Sequence, residues 1–403
     1  MDAKENRIDL GFAKEIDEDR LFSLRSHYFP LGKIGGKPSW LNPVNLPSNS
    51  DLSCSNCQKP MAFLLQVYAT HNSCPPHAFH RTIYVFICRD SNCSSINQSS
   101  NLCVFRCQLP KVNPYYSSEK PFDPDLDGEV PDPYFDQLKY AKICAACGCK
   151  ASKKCGKCEQ RWYCSREHQI LDWQDGHKLA CGKSPENDIN EKIDTSEKLD
   201  ELPGKKKPRV ASNGFLFPEY GMELASDYVP RNEIDSDCDD ECEEEEEEDK
   251  LAKKFKELKQ YEVMTNEISA KDLEGLEETP KDLAFNHFHK ALSREPEQIM
   301  RYDRGGTPIL ATDLAPIPSN IPKCELCGAP RSFEFQLTPH LLSLMEVDSV
   351  GSSIDWATVL VYTCSMDCAI PDSGYVKEFV FKQDFVLEPS EAAETQNNGV
   401  DEA

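Results

Sequence analysis

The chain has no long apolar run. Its most hydrophobic stretches, such as TIYVFIC at 82–88, fall far short of the ~20 residues that a bilayer-spanning helix needs. The first residues, MDAKENRIDLGFAKE, are charged and amphipathic and lack the apolar core of an export signal. No phosphate-cradling glycine loop is present: YDRGGTP at 302–308 lacks the Lys-Ser/Thr that would follow in one. Basic charge is in short supply too. Across 403 residues, 45 Lys and Arg face 69 Asp and Glu, a net charge of −24. Residues 235–249 (DSDCDDECEEEEEED) hold 12 of the acidic side chains, and the remainder is still −12. This balance argues against broad binding to a phosphate backbone. The acidic block reads as a solvated segment or as a tether for a strongly basic partner.

Cysteine, by contrast, is abundant. Twenty Cys in a chain without an export signal point to a reducing compartment, where closely paired Cys are metal ligands rather than disulfides. The densest stretch, 144–181, contains seven Cys and two His. Its donors fall into four pairs: Cys144-x₂-Cys147, Cys155-x₂-Cys158, Cys164-x₃-His168 and His177-x₃-Cys181. A Cys-x₂-Cys knuckle presents two thiolates to one ion, and the x₃ spacing puts two donors one helical turn apart. Eight such donors suffice for two tetrahedral zinc ions.

Around this stretch lies a duplication. A shift of 270 carries Gly35, Gly36 and Pro38 onto Gly305, Gly306 and Pro308. It also carries Cys54, Cys57, Pro60, Phe63 and Gln66 onto Cys324, Cys327, Pro330, Phe333 and Gln336. With a shift of 276, Cys88 meets Cys364, and Val104-Phe105 meets Val380-Phe381. Each copy reads as a Cys-x₂-Cys, an alternating strand (FLLQVYA or FEFQLTP), a second strand ending in Cys (RTIYVFIC or ATVLVYTC), a nearby fourth Cys, and a third strand (CVFRCQ or EFVFKQD). The pattern nominates Cys54, Cys57, Cys88 and Cys93 in one copy, and Cys324, Cys327, Cys364 and Cys368 in the other, as one structural zinc site each. Cys74, Cys103, Cys107, Cys238 and Cys242 have no counterpart and read as free thiols.

The expected fold is α+β and zinc-stabilised: small duplicated β-rich, zinc-ribbon-like units, an inserted finger and a disordered acidic linker. The expected divisions are an N-terminal β-rich repeat at 1–132, the finger at 141–182, and a linker at 183–250. A helical lead-in with the C-terminal β-rich repeat at 251–387 and a disordered tail at 388–403 complete the plan. The linker carries a basic cluster at 205–209 that resembles a nuclear import signal, and an apolar island, FLFPEYGMEL, at 215–224. Leu251, Phe255, Leu258 and Val263 fall near helical spacing, as do Leu283, Phe288 and Leu292, while His287 and His289 read as surface residues.

The stretch RWYCSREHQILDWQDGHKLAC at 161–181 resembles a MYND zinc finger in its aromatic before Cys164, its Gln-x₃-Trp and its closing His-Lys-x₂-Cys. That resemblance implies interleaved ligands: Cys144, Cys147, Cys164 and His168 on one zinc, and Cys155, Cys158, His177 and Cys181 on the other. Many MYND fingers have Cys in place of His168, and Cys149 is a competing donor. The stretches LGFAKE, LRSHYFPLGKIGGKPSWL, AFHRTIYVFICR, EPEQIMRY and CELCGAPRSFEFQLTPHLL extend the resemblance to the programmed cell death protein 2 family over nearly the whole chain. It implies a non-enzymatic, dedicated chaperone for a basic small-subunit ribosomal protein, universal S-five. Such a role would support 40S assembly in cytoplasm and nucleus, with no direct nucleic acid or membrane contact. Exposed strand edges in the two repeats are one route by which a client segment could bind. The alternative is a transcriptional adaptor whose finger binds proline-containing peptides through Trp162 and Tyr163, with Trp173 structural. Four-ligand zinc sites leave no coordination position for a catalytic water, and no methyltransferase region flanks the finger, so an enzyme is not expected.

Overall fold

The computed structural model describes residues 7–17, 24, 32–116, 118, 139–182, 214–228, 283–347 and 353–385. Ten strands form one closed, wholly antiparallel barrel. The N-terminal copy supplies β1 (Arg7–Lys14), β2 (Lys33–Ile34), β3 (Ala62–Tyr68), β4 (His80–Ile87) and β5 (Leu102–Leu109). Two short strands, β6 (Lys153–Lys154) and β7 (Trp162–Tyr163), pair within the finger and precede its helix α1 (Arg166–Asp172). Then follow β8 (Tyr220–Tyr228), helix α2 (Leu283–Ser293), β9 (Met300–Tyr302), β10 (Arg331–Leu337), helix α3 (His340–Leu344), β11 (Thr358–Cys364) and β12 (Tyr375–Gln383). Around the ring the order is β1-β8-β2-β3-β4-β5-β12-β11-β10-β9, with β9 returning to β1.

The duplication is legible in the register. Tyr84 faces Phe105 as Leu360 faces Phe381, which is the 276 shift applied to both partners. A bulge between Phe63 and Leu65 recurs between Phe333 and Phe335. The repeated glutamine makes a repeated contact. Gln66 Oε1 accepts from the Ser39 amide at 2.8 Å, and Gln336 Oε1 from the Ile309 amide at 2.9 Å. These copies do not stand as separate units. β5 pairs with β12 at one seam. At the other, the first strand of each copy crosses over, β1 onto β9 and β8 onto β2.

Strand β8 corrects the expectation of a continuous linker over 183–250. Its apolar island places buried Leu216, Phe217 and Met222 against the barrel, and burying them favours a fixed strand over a solvated tether. Closure also corrects the idea of strand addition. Each of the ten barrel strands has a hydrogen-bonded neighbour on both sides, leaving no barrel strand as a free sheet edge; among the described residues only the finger's two-stranded β6–β7 sheet keeps free sides. The helix expected at Leu283, Phe288 and Leu292 is α2, with Phe288 buried and both His287 and His289 exposed. The basic cluster, the acidic block, the 251–263 periodicity, Cys238, Cys242 and the C-terminal tail lie outside the described residues.

Alternating side chains divide the packing. Inside the barrel, Leu65, Val67, Ile83, Val85 and Val104 meet Phe335, Leu337, Val359 and Val361 in a single core. Outside, Phe63, Tyr84, Phe86 and Phe105 form one aromatic patch, and their repeat equivalents Phe333, Leu360, Tyr362 and Phe381 form another. All eight residues of β4 are buried because both of its faces are covered. The N-terminal patch lies under Trp40, Leu41 and the finger, and shares their core.

Candidate metal centres

Four Cys-x₂-Cys segments fold into the same knuckle. The carbonyl of the first cysteine (Cys54, Cys144, Cys155 or Cys324) accepts from the amide four residues on, at 2.9 Å each time. That fourth residue takes a left-handed conformation in every case: Gln58 (φ 60), Gly148 (φ 74), Glu159 (φ 57) and Gly328 (φ 71). The turn points both thiols to one side.

In the finger, Ser165 caps α1 by accepting from the His168 amide at 3.1 Å, which fixes His168 one turn beyond Cys164. After α1 a wide turn at Trp173–His177, with Gly176 at φ 132, brings His177 back toward the second knuckle. The donors then gather as two interleaved sets: Cys144, Cys147, Cys164 and His168, and Cys155, Cys158, His177 and Cys181. Cys144 Sγ and Cys164 Sγ lie 3.7 and 3.0 Å from His168 Nδ1, and Cys147 Sγ is 3.7 Å from Cys164 Sγ. In the second set, Cys155 Sγ is 3.8 Å from Cys181 Sγ, and Cys158 Sγ is 3.6 Å from His177 Nε2. Cys149 stays outside both; its thiol points to the Cys147 carbonyl.

The outer sets assemble as Cys54, Cys57, Cys88 and Cys93, and Cys324, Cys327, Cys364 and Cys368. Cys57–Cys88, Cys324–Cys368 and Cys327–Cys364 sulfur pairs are each 3.6 Å apart. A tetrahedron built on Zn–S bonds of ~2.3 Å has edges of about 3.8 Å, so these spacings and this thiolate-rich chemistry fit zinc. A backbone N–H from Ala329, outweighing desolvation, holds the Cys327 thiol below its ordinary pKa and favours the thiolate that a metal requires.

A fifth cluster, His71, Cys74 and Asp367, has metal-like proximity but different chemistry. Asp367 already accepts from Arg81 Nε at 2.8 Å and Arg304 Nη2 at 2.7 Å, with His71 Nε2 at 2.9 Å. Two guanidinium groups occupy the carboxylate and oppose a cation there. This cluster is the rim of a buried ionic network. Arg81 forks onto Glu334, and Arg304 also pairs with Glu334. Glu334 receives hydroxyls from Tyr302 and Thr363. Burial pushes Glu334 upward, yet Arg81 and Arg304 bring its pKa down to about 2.

The finger is fastened to the barrel. The Trp40 indole donates to the Gly148 carbonyl at 2.8 Å, Asn49 Nδ2 to the Cys164 carbonyl at 3.1 Å, and Lys37 Nζ to the Ala145 carbonyl. Phe215, from the island before β8, meets His168 edge-on with centroids 4.2 Å apart. None of these fasteners has a spacing signal in the sequence. Of the proposed peptide contacts, Trp162 is half-buried, with Lys142 over its ring at 5.6 Å. Tyr163 is fully buried and donates to Asp172 at 2.6 Å, so its ring has no face for a peptide. Trp173 packs edge-on against His177, at 5.6 Å between centroids.

Known protein families account for the same three segments. Residues 7–123 match the model of "Programmed cell death protein 2, N-terminal domain", residues 144–181 the MYND finger, and residues 282–384 "Programmed cell death protein 2, C-terminal putative domain". Programmed cell death protein 2 of Mus musculus is 38% identical over 389 residues, covering 95% of this chain and 98% of its own. The chain belongs to the programmed cell death protein 2 family. The Bos taurus member is 37% identical, across 93% of this chain and 96% of its own. A more distant relative is the probable 20S rRNA accumulation protein 4 of Schizosaccharomyces pombe (strain 972 / ATCC 24843). It is 26% identical, across 86% of this chain and 91% of its own. No solved structure matches. The family's N- and C-terminal segments thus hold nine of the ten barrel strands, with β8 lying between them in the chain, and neither they nor the MYND finger indicate an enzyme family.

Proposed function

We propose that this protein is a non-enzymatic, zinc-stabilised chaperone for a basic small-subunit ribosomal protein, universal S-five, acting in 40S ribosome biogenesis. The observation that carries this reading is the near full-length relationship to a relative named for 20S rRNA accumulation. The charge supports it: a chain at −24 attracts and screens a basic client before that client reaches RNA. Because the barrel offers no open edge strand among the described residues, the client engages side-chain surfaces, with the 235–249 block supplying long-range attraction. Cytoplasm and nucleus are the expected compartments.

Zinc is structural in this reading. One ion in each of the four donor sets gives four per chain, with all four positions of each tetrahedron filled by protein. When bound, zinc supplies a cross-link that holds two knuckle or helix segments together. The residues themselves do the rest: the knuckles aim thiols, Ser165 orients His168, and Trp40 locks the finger on the barrel.

Affinity purification of the full chain followed by mass spectrometry tests the assignment. One free, basic small-subunit ribosomal protein in near-stoichiometric amount is expected. Recovery of corepressor components alone would favour the transcriptional adaptor and overturn the chaperone. Elemental analysis should find four zinc ions per chain; a value near two would leave the outer sets without metal.

A further inference from the structure

The two outer cysteine sets have the same internal plan but different surroundings. Arg106, on β5 of the N-terminal copy, is fully buried. Its Nε donates to Glu378 at 2.7 Å, its Nη1 to the Cys368 carbonyl at 3.3 Å, and its Nη2 to the Cys368 sulfur at 3.7 Å. The adjacent Asp367 is gripped by Arg81, and its carbonyl oxygen lies 2.8 Å from His77 Nε2. Arg81, His77 and Arg106 all belong to the N-terminal copy, whereas the loop they hold carries Cys364 and Cys368 of the other.

The reciprocal position is Lys382, the residue to which the 276 shift carries Arg106. Lys382 Nζ reaches Ser94 at 3.3 Å, beside Cys93, and Asp384 at 2.9 Å. It too crosses between copies, but its partners are oxygens. A four-thiolate zinc centre carries a net negative charge, which a buried guanidinium N–H directed at one sulfur offsets, here at the half-buried Cys368. Outer partners of this kind orient the ligand and hold the metal.

We propose that the Cys324–Cys327–Cys364–Cys368 centre is completed across the two copies. Arg106 is its positioning residue, and metal capture there is linked to closure of the β5–β12 seam. By reciprocity, metal that binds more tightly when the seam is closed also holds it closed. The proposal rests on the metal-site reading of those four cysteines and is independent of the client.

Isotope-coded alkylation of each cysteine, resolved by mass spectrometry during a chelator challenge, tests it on the full chain. Arg106→Gln leaves Glu378 paired with Arg331, at 2.7 Å, so no buried carboxylate is orphaned. In that variant, labelling of Cys327 and Cys364 should accelerate about 10- to 100-fold. Cys54 and Cys57 should keep the wild-type rate, and Arg106→Lys should restore most of the protection. Lys382→Gln should leave the C-terminal set unchanged. Unaltered labelling of Cys327 and Cys364 in Arg106→Gln overturns the proposal, as does equal acceleration at Cys54 and Cys57, the signature of general unfolding. A wild-type chain whose C-terminal set is already unprotected before chelation overturns the metal site and the proposal together.

Discussion

Arg81 and Glu334 form a two-pronged ion pair, 2.7 and 2.9 Å long, with neither side chain exposed. They are 253 residues apart and come from opposite copies of the duplication. A shift of 270 aligns Glu334 with Leu64, and 276 aligns Arg81 with Ala357, so the pair has no counterpart in the other half. The duplication therefore does not repeat this contact, and like the Arg106–Glu378 pair it joins the two copies through buried charge. Arg81→Met would strand Glu334 with Arg304 as its remaining guanidinium partner. We expect a loss of about 3–5 kcal/mol in urea unfolding. A loss below about 1 kcal/mol would reduce the pair to a minor contributor.

The Trp40–Gly148 hydrogen bond is one of three that fasten the finger to the barrel, and a single change removes it. Trp40→Phe keeps an aromatic ring beside Tyr84 and Phe86 but leaves the Gly148 carbonyl unpaired. Amide exchange at 144–149 should quicken by the equivalent of about 1–3 kcal/mol while β3–β5 keep their protection. Uniform loss of protection would show that the finger and barrel unfold as one unit.

Gly35 and Gly305 are repeat equivalents with unequal demands. Both have positive φ, +62° and +76°, but a Cβ on Gly35 would lie 1.8 Å from the Pro218 carbonyl, and one on Gly305 would meet nothing. Gly305→Ala should cost about 1–2 kcal/mol, the penalty of a left-handed alanine. Gly35→Ala should exceed about 4 kcal/mol, because the island before β8 must move. Equal melting temperatures for the two variants would contradict the packing of β8 beside β2.

His80 is buried and its pKa is lowered by that burial to about 4, from 6.5. Between those values the unfolded chain binds a proton that the folded chain refuses, so stability falls as pH drops from about 6.5 toward 4. The contribution is at most about 3 kcal/mol. Wild-type stability relative to His80→Gln should decline as pH falls through that window and stay flat above about pH 7; a pH-independent difference would place the proton elsewhere.

Much of the candidate site is legible in the sequence because it is local. Knuckle spacing, helical x₃ pairs and alternating strands follow from rules that act over short stretches, and the duplication lets each copy check the other. The interleaved pairing of the finger, implied by resemblance, is the arrangement in which the donors lie. Tyr163 escapes a local reading because an aromatic beside a metal ligand has the same sequence signature whether it faces solvent or core. The 215–224 island stands out as apolar, but nothing local says that its continuation, β8, lies between β1 and β2.

By itself, then, the sequence determined which side chains can bind metal and which six duplicated segments are strands, β3 to β5 and β10 to β12, since ligand chemistry and side-chain alternation are properties of short stretches. Tertiary structure decided that the two copies share one barrel, that β8 closes it, and that Arg81 and Arg106 serve the opposite copy. Those outcomes depend on burying charge and apolar surface between residues hundreds of positions apart, and no local pattern encodes which distant partner will satisfy them.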